Sequence, residues 1–399
     1  MRIELRPVAP LRKPWRAVAL LLLGGGQRPT DNTEEGITTD ALEICAGAGG
    51  EALGLENAGF SHVALNEIDP HACQTLRLNR PGWNVLETDV RELNGRDFRG
   101  ISLLAGGVPC PPFSIAGKQR GHEDERDLFP EALRLIDEAK PEAVLLENVR
   151  GFATAKFDDY REDLMAQLRA LGYVPEWKVL NAADYSVPQL RPRFVLVALK
   201  PRYAHRFKWP ARTPHRHTVG SKLEDLMGGG GWPGTPDWVR RANGIAPTIV
   251  GGSKKHGGPD LGPTRARQQW AALGVDGLGI ADGPPGPEVP EFADPRLTYR
   301  MAARLQGFPD TWQFSGRKTA AYRQVGNALP PPVAEVVGLA IKHALNGTRT
   351  QEESPRRRQW CGIAGLAIEL VALTVLEQAS RRRDDARADG SGQVITGVN

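Results

Sequence analysis

The chain has 399 residues, 40% of them hydrophobic and 25% charged, with a formal net charge of +4. That is the composition of a folded protein long enough for a large core and at least two domains. Four cysteines, at 45, 73, 110 and 361, make no CxxC pair and no Cys/His ligand spacing, which excludes a zinc-held or disulfide-stapled scaffold and predicts a reduced, cytoplasmic protein without metal.

Residues 1–39 read as a flexible extension. Ala17 to Leu23 is apolar and follows Arg12, Lys13 and Arg16, but the run is short and leads into Gly24-Gly25-Gly26 without a cleavage site, unlike a secretory signal. The first regular element is an apolar strand from Ala41 to Cys45, which ends in Ala46-Gly47-Ala48-Gly49-Gly50. A helical pattern through Leu53, Leu55 and Ala58 then closes at Gly59. Glycines at a strand-to-helix turn let a ligand approach backbone N–H groups, although many such turns are ordinary tight turns. A second strand, Val63 to Leu65, runs into Asn66-Glu67-Ile68-Asp69, about 20 residues beyond the glycines, where this architecture places a carboxylate for ribose hydroxyls. Asp89, after Val85-Leu86, ends a third strand, where a carboxylate serves equally as a helix N-cap or an adenine contact.

Ile101 to Ala105 predicts a buried strand. Gly106-Gly107-Val108-Pro109-Cys110-Pro111-Pro112 after it excludes a helix and sets Cys110 on a stiff loop. That is how a nucleophilic thiol is displayed, whereas a packing thiol would not need it. Ala143 to Leu146 is a further strand that stops at Glu147-Asn148-Val149, so Glu147 also stands at a carboxyl end, the edge where open α/β sheets bind ligands.

Between Lys200 and Arg267 the sequence holds 13 Lys+Arg against 4 Asp+Glu, together with Trp209, Trp232 and Trp238. A basic, aromatic-bearing, glycine-rich stretch of this kind suits contact with a polyanion. Near the C-terminus, Gly362 to Leu376 is apolar but carries Glu369 and is too short to span a bilayer, so a terminal helix followed by a disordered tail after Ser380 is expected.

Taken in order, these segments resemble the C5-cytosine DNA methyltransferases. Glu43-Ile44-Cys45-Ala46-Gly47-Ala48-Gly49-Gly50 is similar to the family's S-adenosylmethionine loop, Gly107 to Ser114 to its catalytic loop, and Glu147-Asn148-Val149 to its glutamate motif. Gln189-Leu190-Arg191-Pro192-Arg193 resembles its arginine motif, and Arg304 to Asp310 and Tyr322 to Ala328 resemble its last two blocks. The resemblance implies a class I S-adenosylmethionine-dependent methyltransferase, with a Rossmann-like doubly wound α/β sheet and a smaller inserted target-recognition domain. The implied boundaries are a catalytic domain over 40–200, a recognition domain over 201–300, a return over 301–345, and a C-terminal extension over 346–399.

It further implies a thiolate from Cys110 adding to cytosine C6, Glu147 stabilising charge at N3, and Arg191 and Arg193 supplying a positive field. The methyl donor would be S-adenosyl-L-methionine. Cys45, Ala46, Gly47, Gly49, Gly50, Glu67, Ile68, Asp89, Val90, Leu128, Asn327 and Ala328 would hold it. At Cys45 and Ile68 the family usually has aromatic residues, so aromatic contact to adenine is lost. The target base must be flipped out of double-stranded DNA. Ser114, Lys118, Gln119 and Arg120 would face the duplex from the catalytic loop, and Thr248, Lys254, Lys255, Arg265 and Arg267 from the recognition interval. A monomer acting beside a cognate restriction endonuclease, with no membrane association, is the resulting expectation. Competing readings are a tRNA cytosine methyltransferase, disfavoured by the long basic interval, and a catalytically silent DNA-binding protein, disfavoured by intact Cys110, Glu147 and Arg193.

Overall fold

The structure, a computed structural model, describes residues 39–109, 127–213, 217–251 and 260–346. All of them belong to one compact unit that begins at Ile37. Seven strands form one sheet: β1 (Asp40–Ile44), β2 (Ser61–Glu67), β3 (Val85–Glu87), β4 (Leu103–Gly107), β5 (Ala143–Val149), β6 (Val174–Asn181) and β7 (Pro192–Leu199), in the order β3-β2-β1-β4-β5-β7-β6. The pairings among β1 to β5 are parallel, and β7 runs antiparallel to both β5 and β6.

Alternating side chains serve two cores, as strand geometry requires. Leu42, Ile44, Leu104, Val144 and Leu146 point to one face and pack with α3 (Phe129–Ala139) and α4 (Asp158–Ala170). Ala41, Leu103, Ala105 and Leu145 point to the other, against α1 (Gly50–Asn57) and a long C-terminal helix, Pro331–Asn346. α2 (Pro70–Asn79) connects β2 to β3 and begins under the side-chain cap of Asp69. Helices on both faces make this the expected doubly wound α/β architecture. Its strand order reverses between β1 and β4, which opens the ligand crevice there.

The strand boundaries differ from the sequence reading in an informative way. β4 keeps Gly106 and Gly107, because a Cβ at Gly106 would lie 2.5 Å from the Ile44 carbonyl oxygen and only glycine permits that approach of β1. β5 does not stop at Leu146 but continues to Val149, because β7 pairs along it, with Glu147 opposite Val195 and Val149 opposite Arg193.

After β7 come α5 (Pro201–Ala204), α6 (Val219–Gly228), α7 (Thr235–Arg241), α8 (Thr264–Ala271), α9 (Tyr299–Gln306), α10 (Lys318–Asn327) and α11, the long helix already given. A third apolar cluster gathers α6 to α10 around Trp232, Trp238 and Trp270, all buried. This corrects the reading of the basic interval: Trp232 and Trp238 form its core, with the Trp238 indole N–H bonded to the Gly274 carbonyl at 2.8 Å, so they do not face a polyanion. No helix among the described residues is long and apolar enough to cross a membrane.

Candidate active site

At the end of β1 the chain turns through Cys45 (φ 52°) and Gly47 (φ 56°) into α1, whose N-cap Gly49 has φ 82°. All three backbones are left-handed, which is routine for glycine and strained by about 1 kcal/mol or more at a cysteine. The Cys45 thiol is inert as an acid, its pKa pushed up to about 12 by burial and by the charges of Glu67 and Asp89. Glu67, at the end of β2, is locked by main-chain donors. Its Oε2 accepts from the Gly47 N–H at 2.7 Å, and its Oε1 accepts from the N–H groups of Ile68 and Asp69 at 2.9 and 2.8 Å. Asp89 caps a short 3-10 turn by accepting from the Arg91 N–H at 3.0 Å and pairs with the Arg91 guanidinium at 2.9 Å.

These ends enclose a cavity of about 430 Å³, a size usual for small-molecule clefts. Cys45, Ala46, Gly47 and Gly50 line it from the glycine turn, and Glu67, Ile68, Asp89 and Val90 from the ends of β2 and β3. Leu128, Asn327 and Ala328 close the far side. No aromatic ring lines it among the described residues, in keeping with Cys45 and Ile68, and Ile68 is 63% exposed. Gly49 is the exception among the expected cofactor residues. It faces away, where a Cβ would meet Leu76 at 2.7 Å and Trp312 at 3.0 Å, so it lets the turn sit on those side chains.

Gly107, Pro109 and Glu147 line the same cavity. Pro109 is held to the start of α3 by a hydrogen bond from the Leu128 N–H to its carbonyl at 3.4 Å, and the Asn148 amide donates to the Val108 carbonyl at 2.8 Å. The next residue, Cys110, lies outside the described residues, as do Ser114, Lys118, Gln119, Arg120, Lys254 and Lys255.

The Glu147 carboxyl is buried, and the register of β7 explains its partner. Glu147 faces Val195, so Arg193, two residues along β7 on the same face, is its diagonal neighbour. Arg193 Nε lies 2.8 Å from Glu147 Oε1, yet its N–H does not point at that oxygen, and neither atom has a hydrogen-bond partner. Burial raises the pKa of Glu147 above the usual carboxylate range, and Arg193 and then Arg191 oppose the rise. A carboxyl so placed can hold a proton and donate it to a group in the cavity.

Arg191, expected beside the thiol, is a clamp. Its fully buried guanidinium donates to the carbonyls of Ile249 at 2.6 Å, Gly326 at 2.7 Å and Ala328 at 2.9 Å, and it does not line the cavity. Gln189 extends this latch. It accepts from the Ile249 N–H at 3.0 Å and donates to Gln306 at 2.6 Å, whose own amide donates to Ala328 at 2.7 Å. One short motif thereby joins β7, the basic interval, α9 and the end of α10. Of the expected DNA contacts, Thr248 donates its hydroxyl to the Leu190 carbonyl at 2.6 Å and belongs to the same latch. Arg265 on α8 is exposed, and Arg267 bonds Thr264 at 3.3 Å.

Several cavity residues escaped the sequence reading, among them the charged residues Glu51, Arg91 and Arg323. Glu51 looks like an ordinary acidic residue in a first helical turn, and nothing in the sequence signals its burial.

The family described as C-5 cytosine-specific DNA methylase matches residues 39–343. The Type II methyltransferase M.NaeI of Lentzea aerocolonigenes is 56% identical over 311 residues, 77% of this chain and 75% of that protein. M.NgoMIV of Neisseria gonorrhoeae, another Type II methyltransferase, is 56% identical over 310 residues, 76% of this chain and 97% of that protein. The crystal structure of a Spodoptera frugiperda DNMT2 mutant superposes with a TM-score of 0.55 at 17% identity, covering 76% of this chain and 99% of that one, and shows the same class I fold. With the matched block beginning at the residue before β1 and ending inside α11, the chain belongs to the C-5 cytosine-specific DNA methylase family.

Proposed function

We propose that this enzyme transfers a methyl group from S-adenosylmethionine to C5 of a cytosine flipped out of a specific duplex DNA sequence, as the modification partner of a restriction endonuclease. The observation that carries the reading is Glu147: a buried carboxyl, biased toward its protonated form, on one cavity wall with Pro109 and the glycine turn. The donor set suits S-adenosylmethionine. Glu67 and Asp89 offer acceptors to ribose and adenine, Ile68, Val90 and Leu128 offer apolar contact, and Glu51 brings an unpartnered oxygen. When bound, that cofactor supplies an electrophilic methyl group.

In this reading Cys110, one residue beyond the cavity wall at Pro109, adds its thiolate to C6 and makes C5 nucleophilic; once C5 carries the methyl group, a base takes its proton and the thiolate is eliminated from C6. Glu147 donates toward N3, where the addition places electron density, and Arg193 keeps the carboxyl from losing contact with a positive charge afterwards. Arg191 positions rather than reacts. The interval over 201–300 serves as the recognition domain, with Arg265 and Arg267 toward the duplex. A cytoplasmic monomer is the matching assembly. The test is covalent trapping on duplex DNA carrying 5-fluorocytosine in the presence of S-adenosylmethionine. Wild-type protein should give an adduct stable to denaturation and Cys110→Ser none. An adduct surviving in Cys110→Ser, or none in wild type, would refute the mechanism.

A further inference from the structure

Glu51 is 4% exposed, lines the cavity from the first turn of α1, and leaves Oε1 without a hydrogen-bond partner. A buried carboxyl that lacks a partner is costly unless a ligand completes it. Its surroundings do not complete it: Glu43 and Glu147 stand within Coulombic reach, so like charge adds to desolvation and raises its pKa well above the ordinary value. Glu43, on β1, is fully buried as well, and its partner is the His62 ring, 3.1 Å away, which does not reach Glu51 Oε1. The Gly50–Glu51 turn abuts the far side of the cavity, where a Cβ on Gly50 would lie 2.3 Å from the Leu329 carbonyl and 2.9 Å from Ala328. The same cavity carries Asn327 and Arg323, from the helix that leads to Ala328.

We infer that Glu51 is a donor-binding residue whose carboxyl group recognises the cationic methionine end of S-adenosylmethionine, through its ammonium or its sulfonium charge. Arg323 supports the assignment from the opposite sign. It lines the same cavity, and its Nε also lacks a partner, as the carboxylate of the same amino-acid moiety would require. The inference rests on the proposed cofactor, and it adds a residue that reads charge rather than shape.

The experiment is calorimetric titration of the full chain, wild type and Glu51→Gln, with three probes. These are S-adenosylmethionine, S-adenosylhomocysteine, which keeps the ammonium but lacks the sulfonium, and 5′-methylthioadenosine, which lacks both. Glu51→Gln should weaken S-adenosylmethionine about tenfold or more while leaving 5′-methylthioadenosine unchanged. S-adenosylhomocysteine weakened alike assigns the ammonium, and S-adenosylhomocysteine spared assigns the sulfonium. The unliganded variant should melt no lower than wild type, since a buried unpartnered carboxyl is removed. Glu51→Leu, which offers no acceptor, should give the same ranking. S-adenosylmethionine affinity within twofold of wild type in Glu51→Gln, or equal weakening of all three probes, would overturn the inference. If wild type binds none of the probes, the proposed cofactor itself fails.

Discussion

Replacing Arg191 by lysine separates a clamp from a catalyst. The guanidinium makes three bonds to carbonyls, one on the basic interval at Ile249 and two at the end of α10, Gly326 and Ala328. Hydrogen bonds from a charged donor contribute about 1.5–3 kcal/mol each, and an orphaned buried carbonyl costs about 1–3 kcal/mol. A lysine ammonium keeps the charge but cannot span carbonyls on two separate segments. One or two bonds are therefore lost, for an expected destabilisation of about 2–4 kcal/mol. Urea unfolding followed by tryptophan fluorescence reads this directly, because Trp238 and Trp270 sit in the cluster that the clamp ties down. Arg191→Met should lose all three bonds and approach the whole stability of a typical domain, about 5–15 kcal/mol. A lysine variant that unfolds like wild type but has lost methyl transfer would refute the reasoning and return Arg191 to the reaction.

Removing Arg193 should push the already raised pKa of Glu147 higher, because Arg193 is the larger of the two charges that oppose the rise. A step that needs the protonated carboxyl fails as pH rises through that pKa, so the alkaline limb of the rate profile in Arg193→Gln should move to higher pH. Stability has the same sign. A carboxyl whose folded pKa lies above its unfolded value favours the fold below the unfolded pKa and loses that contribution as pH rises through the folded one. The penalty of Arg193→Gln in urea should thus grow with pH, and Glu147→Gln should flatten that slope. Gly326→Ala would set a Cβ 2.3 Å from the Gly251 backbone nitrogen, with no flexible side chain to yield. A lowered melting temperature together with weaker S-adenosylmethionine binding is expected, and an unchanged melt would contradict the packing. Trp238→Phe should lower stability without altering the salt dependence of DNA binding. Arg265→Ala should leave stability unchanged and reduce the salt slope by about one.

The strand, glycine turn and helix around Cys45 were legible because an apolar run, clustered glycines and a helical repeat stand adjacent in the chain. Glu67 and Asp89 were legible by spacing. What the sequence hid depends on partners far along the chain. Glu147 read as the residue after a strand because its pairing strand begins 45 residues later, at Pro192, and strand direction leaves no mark in composition. Trp232 and Trp238 read as a nucleic-acid surface because composition reports what a segment contains and not which side faces inward. Arg191 and Arg193 are two residues apart and looked equivalent. Only the ladder shows that Arg193 faces Glu147 from the sheet, while Arg191 lies before β7 and reaches other segments.

The direction of β7 has a further consequence, for how the basic interval proposed as the recognition domain can be exchanged. β7 enters at the ligand edge and leaves at the opposite one, where the Lys200 N–H bonds the Glu142 carbonyl at 3.0 Å, just ahead of β5. The interval therefore departs from the rim remote from the ligands and returns to the ligand edge at Ala246, whose N–H bonds the Pro188 carbonyl at 2.9 Å. The outgoing leg is itself packed, with Tyr203 and Phe207 buried in the core beside β7 and the Thr213 N–H bonded to the Asp184 carbonyl at 2.7 Å. Insertions or deletions before Thr213 would disturb that packing, so grafted segments should begin beyond Thr213. The returning leg at Ala246 to Ile249 is a fixed joint that any graft must preserve.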